Sequence, residues 1–135
     1  MTKVLVSYGV TLIAFLAIDF FWLGWIAKST YVAEMGDLMR KDPNLVAAAA
    51  FYLLYAAGLT LFAVLPGLKA DSAIQAIALG AAFGLIAYAT YDLTNLSVLN
   101  GFSLKLALID MAWGTFASAA AVACTFFVAG KIFSA

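Results

Sequence analysis

Four apolar runs, each long enough to cross a bilayer, decide what this chain can become. A hydrocarbon core of about 30 Å takes about 20 residues of helix. The runs fall at residues 4–27, 45–65, 73–98 and 104–129. Inside a bilayer no water satisfies the backbone, so each run has to close its own hydrogen bonds as a helix. Of the 135 residues, 67% are hydrophobic and 10% charged, too little charge to coat a water-facing surface. The fold class expected is therefore all-α: an integral membrane four-helix bundle of up-down topology, one transmembrane domain over residues 1–135.

Local signals set the boundaries. Pro43 precedes the second run and Pro66 is expected to close it. Ser72 and Gln75 have capping-box spacing before the third, and Ser103 is a candidate N-cap for the fourth. The first run is too long for a signal peptide, holds Asp19, and has Trp25 where a cleavage site wants a small residue, so it reads as a retained helix. In the longest connection, 28–44, Tyr31, Met35, Leu38 and Met39 share a helical face, with Glu34, Asp37, Arg40 and Lys41 off it. That pattern predicts a short helix lying in the interface between spans one and two. Orientation is barely encoded: Lys3, Lys69 and Lys131 fall on one side, Lys28, Arg40, Lys41 and Lys105 on the other.

Composition also excludes chemistries. Net charge is zero, so nothing invites nucleic acid. Without histidine, histidine-ligated haem, most catalytic zinc sites and Ser-His or Cys-His nucleophile pairs are ruled out. No lysine lies mid-span, and no glycine loop of the phosphate-cradling type is present. The single cysteine, Cys124, reads as a small packing residue. No motif names a cofactor, and whether the chain is an enzyme stays open.

Three of the seven acidic residues lie within the runs: Asp19, Asp92 and Asp110. Each costs about 2.5–3.5 kcal/mol near a helix centre on insertion scales, so each needs a reason. Counted from the nearest polar boundary, Asp19 lies nine residues before Lys28, Asp92 eight before Asn100, and Asp110 five after Lys105. At about 1.5 Å per residue those depths are comparable. In an up-down bundle all three fall in the same half of the membrane, with Tyr52 at that level. Helical phase adds company to each. Tyr8, Leu12, Phe15, Asp19, Trp22 and Ile26 share one face of span one, and Tyr52, Tyr55 and Leu59 one face of span two. Ala81, Gly84, Tyr88, Asp92 and Asn95 share a face of span three. Asp110, Trp113, Gly114, Ala117, Ala121 and Cys124 share a face of span four. Small residues along these faces let helices approach and offer a route to homo-oligomers. A D-x-x-W spacing recurs in "IDFFW" and "IDMAW", and "YDLTN" puts Asn95 at the tryptophan's offset.

The candidate binding site is thus Asp19, Trp22, Tyr52, Tyr88, Asp92, Asn95, Asp110 and Trp113, with Asp19, Asp92 and Asp110 as candidate metal ligands. Three like charges in low dielectric need a proton or a cation among them, and Lys28 and Lys105 are near enough to reach in from the rim. The alternative is that the aspartates only glue helices together. Three carboxylates at one level exceed what glue requires.

"AIDFFWLGWIAKSTY", "YATYDLTNLS" and "KLALIDMAWGTF" resemble, in the same order of spans, the bacterial predicted membrane proteins of domain-of-unknown-function family 2177. The resemblance covers nearly the whole chain. It implies four spans in a bacterial inner membrane and a genomic context of fatty-acyl modification. It marks Gly24, Tyr91, Thr94 and Gly114, beside the site residues on spans one, three and four, as motif positions without a role.

Three functions are compatible with these residues. One is a small transporter, or proton- or cation-coupled carrier, with the carboxylates binding the ion and aromatic residues walling a pocket. Another is a membrane-embedded enzyme or accessory protein acting on membrane lipid, its oxygen ligands favouring Mg or Mn. The third is a structural or assembly subunit.

Overall fold

Each apolar run folds into a helix, and the last three start at a polar cap. The computed structural model describes residues 1–133, and every regular element among them is helical. Four long helices, α1 (Thr2–Ile26), α3 (Leu45–Ala70), α4 (Ala73–Val98) and α5 (Leu104–Phe133), are apolar enough to span a membrane. A short helix, α2 (Lys28–Met35), joins the first two. Ser72 Oγ accepts the Gln75 amide at 3.1 Å, and Ser103 Oγ accepts the Leu106 amide at 3.0 Å. Asn44 caps α3 by accepting the Ala47 amide at 3.1 Å, a cap the preceding Pro43 had obscured.

Consecutive long helices pack antiparallel, and α1 closes the ring against α5. The α4–α5 pairing is the most extensive. Glycine is the reason. A Cβ on Gly84 would collide with the Gly114 carbonyl oxygen and stand 2.6 Å from Ser118 Oγ, and one on Gly80 would stand 2.8 Å from a Val122 methyl. With hydrogen there instead, the two backbones meet closely.

Four expectations need correcting. Pro66 does not end α3. A wide, five-residue-spaced turn at Thr60–Val64 leads into Leu65–Ala70, which carries Pro66 in its first turn, where no amide is needed. On α1 the buried residues are Ser7, Thr11, Phe15 and Asp19, so Tyr8 and Leu12 sit on the shoulder. A second wide turn at Trp22–Ile26 leaves Ile26 exposed. On α5 a seven-residue step from Ala117 to Cys124 drifts off the 3.6-residue face, so Thr125 is buried and Cys124 is exposed. Finally, α2 ends at Met35. Leu38 and Met39 are exposed, whereas Tyr31 is buried against the bundle, so this helix packs onto the mouth rather than lying flat beside it.

Candidate functional site

At the α2 end of the bundle the helices stand apart around a cavity of about 460 Å³, within the range of small-molecule pockets. Asp19, Asp92 and Asp110 all reach its wall, with Tyr52 and Tyr88. Of the remaining sequence candidates, Trp22 and Trp113 stand behind the carboxylates, and Asn95 is half-buried on α4 without forming part of the wall.

The three carboxylates are held in different ways. Asp19 lies in the last regular turn of α1 and is buried. The Tyr52 hydroxyl donates to its Oδ2, and the Trp113 indole donates to its Oδ1 at 2.9 Å. Asp110, in the second turn of α5, accepts the Tyr31 hydroxyl at 2.6 Å. The Trp22 indole in turn donates to that phenol oxygen at 3.2 Å. Burial and then the bond to Asp110 push the Tyr31 phenol well above its ordinary range, so it stays a donor. Asp92 is 1% exposed, no donor group reaches either of its oxygens, and the Asp110 carboxyl lies beside it.

The two D-x-x-W segments therefore work crosswise. Each tryptophan serves the aspartate of the other helix: Trp113 binds Asp19 directly, and Trp22 reaches Asp110 through Tyr31. Their indoles stack between the two carboxylates, ring centroids 4.3 Å apart and 5° from parallel. The stack clamps α1 to α5 at the level where α1 takes its wide turn. On the opposite wall Tyr88 lies across Gly114, where any Cβ would collide with its ring. Tyr55 bonds Ser118 with oxygens 2.6 Å apart.

No group of three His, Cys, Asp or Glu among the described residues is arranged to hold a metal ion. The candidate ligands share a cavity without closing around one point, because two of them are turned toward their aromatic donors. Lys28 and Lys105 are exposed and form no part of the wall.

Residues missed from the sequence include Tyr31, Met35 and Phe102, which roof the mouth. Their signal was present. The Tyr31–Met35 face assigned to the membrane surface is the face that closes the cavity. Glu34, placed off that face, accepts the Ser103 hydroxyl at 2.6 Å and ties α2 to the start of α5.

Fold and site together define the class: a multi-pass membrane protein, a four-helix bundle with an acid-lined aromatic cavity inside one half. The model of the family of predicted membrane proteins designated DUF2177 matches residues 4–127, and the chain belongs to that family. No curated protein and no solved structure matches it.

Proposed function

We propose that the cavity binds an organic cation and that the protein is a small proton-coupled carrier of the bacterial inner membrane. One observation carries this reading. Asp92 is a buried carboxyl whose two oxygens have no partner, on the wall of a cavity it shares with two other carboxylates. Such a group is costly unless a proton or a cation offsets its charge. A proton and a cationic substrate then compete for one place, which is the elementary requirement of exchange. The tyrosines suit a cation too, since their rings attract positive charge at close range. A helical bundle, rather than a barrel, fits the inner and not the outer membrane. Self-association belongs to the same proposal only through the Ala47–Ala50 stretch of α3, mostly exposed, because the glycine-rich faces of α4 and α5 are used inside the bundle.

The experiment is uptake of ethidium by reconstituted liposomes under an imposed pH gradient. Wild-type protein is expected to drive uptake, and Asp92→Asn to abolish it while remaining folded. Equal uptake by wild type, Asp92→Asn and empty liposomes would remove the carrier reading.

A further inference from the structure

A second hollow of about 420 Å³ lies on the lipid side of α3 and α4. It is lined by apolar side chains and shares Phe51 and Tyr55 with the carboxylate cavity. Its outer rim is open to the bilayer, for Leu54 is 76% and Phe62 63% exposed. Its floor is Gly58, where an added Cβ would stand 2.6 Å from the Phe83 ring. The groove runs along α3 from Phe51, at the level of the cavity, to Phe62. Eleven residues of helix rise about 16 Å, close to half of a core of about 30 Å.

Resting on the carrier reading above, we infer that the substrate is a single-chain amphiphilic amine. Its ammonium head lies among Asp19, Asp92 and Asp110, and its alkyl chain lies in the α3–α4 groove. The head is fixed by charge: among the described residues, the cavity wall has three carboxylates and no basic side chain. The chain is fixed by direction and length. The groove starts where the carboxylates are, about 10 Å inside the Asn44 end of α3, and runs on across the midplane for about the length of one alkyl chain. A compact, water-soluble cation has no use for that groove. The groove itself adds little affinity, because lipid tails are as apolar as its walls. Its role is passage: an amphiphile in the leaflet slides its head between α3 and α4 without leaving the membrane.

The test is photolabelling of the full-length protein in liposomes with dodecylamine carrying a mid-chain diazirine, and with dodecanoic acid carrying the same group. Labelled residues are mapped by mass spectrometry. The amine is expected to label Leu54, Leu61 and Phe62 more than the acid does by about tenfold, the factor one charge-assisted hydrogen bond supplies. Unlabelled dodecylamine and ethidium should both compete that label away, and Asp92→Asn should lower it to the level of the acid. If ethidium competes with the amine but the label falls evenly over the lipid faces of all helices, the groove assignment is wrong and the carrier reading stands. If amine and acid label alike and no cation competes, both fall.

Discussion

The two halves of the bundle bury polar groups by opposite means. Away from α2, the buried polar side chains are hydroxyls, and three of them bond back to their own helix. Thr11 lies 2.8 Å from the Ser7 carbonyl, Thr60 2.7 Å from Ala56, and Thr125 3.0 Å from Ala121. A hydroxyl satisfied one turn back leaves its helix face flush. Ala63, Val64, Ala76 and Val122 then close around it with no exposure at all, and only Ser7 Oγ is left without a partner. Near α2 the buried groups are carboxylates, which accept but do not donate and have no donor free within a helix. The donors to Asp19 and Asp110 come from other elements and are large: Tyr52, Trp113 and Tyr31. Big partners hold helices apart, and the separation is the cavity. The same four helices are thus a closed seam at one end and an acid-lined chamber at the other.

The strongest way to break this contrast is to put a methyl group into the seam. Gly84→Ala drives a Cβ into the Gly114 backbone oxygen, which cannot retreat as a flexible side chain would. The expected cost is about 1–3 kcal/mol, read as a lowered midpoint of thermal unfolding in detergent. The same substitution at Gly24, in the chamber half, meets nothing within 4 Å. There alanine should gain about 0.5–1 kcal/mol through reduced backbone entropy. If both variants melt like wild type, close backbone approach is not what holds the α4–α5 seam.

Within the chamber, Asp19 and Asp92 should separate stability from function. Asp19→Leu strands the Trp113 indole and the Tyr52 hydroxyl, at about 1–3 kcal/mol. Asp92→Leu strands nothing, since no donor was engaged. It removes a buried carboxyl and is expected to raise the melting temperature while ending ethidium uptake, the exchange of stability for activity seen where binding sites hold strained groups. A destabilised Asp92→Leu would mean that Asp92 has a structural partner, and the chamber would then resemble the seam.

Tyr31→Phe should cost less than Asp19→Leu, about 1 kcal/mol, because Asp110 is only half-buried and water can replace the lost donor. It also releases α2 from the mouth. Hydrogen exchange of the α2 amides is expected to quicken several-fold, with the amides of α4 and α5 unchanged.

How much of this was legible in the sequence follows from what each feature depends on. The spans were legible because hydropathy and length act locally, and Ser72 and Ser103 because a cap is read within four residues. The common depth of Asp19, Asp92 and Asp110 needed only counting from the loops, given an up-down order. The crossed partners did not follow from counting. That Trp113 serves Asp19 depends on α1 lying against α5 in the right rotation, and the wide turn that follows Trp22 leaves no mark in "WLGWI". Thr60–Val64 is equally silent, which is why Pro66 looked like an end. Tyr31 was read by its apolar face alone, and periodicity says which residues turn together without saying toward what.

The smallest effect belongs to the seam and tests whether its hydroxyls are as self-sufficient as proposed. Besides Ser118 with Tyr55, Thr11 and Thr125 bond between helices there, their oxygens 2.8 Å apart. The two hydroxyls carry two protons for three contacts, so one donates across and the other returns to its own carbonyl. When Thr125→Val removes the partner, Thr11 still has the Ser7 carbonyl. A double-mutant cycle with Thr11→Val should therefore give a coupling of only about 0.6 kcal/mol, the average for hydrogen bonds between membrane helices. A coupling several times larger would show that the bond between α1 and α5 is not replaceable. The seam would then hold, like the chamber, by partners from other helices, and the difference between the two halves would reduce to the size of those partners.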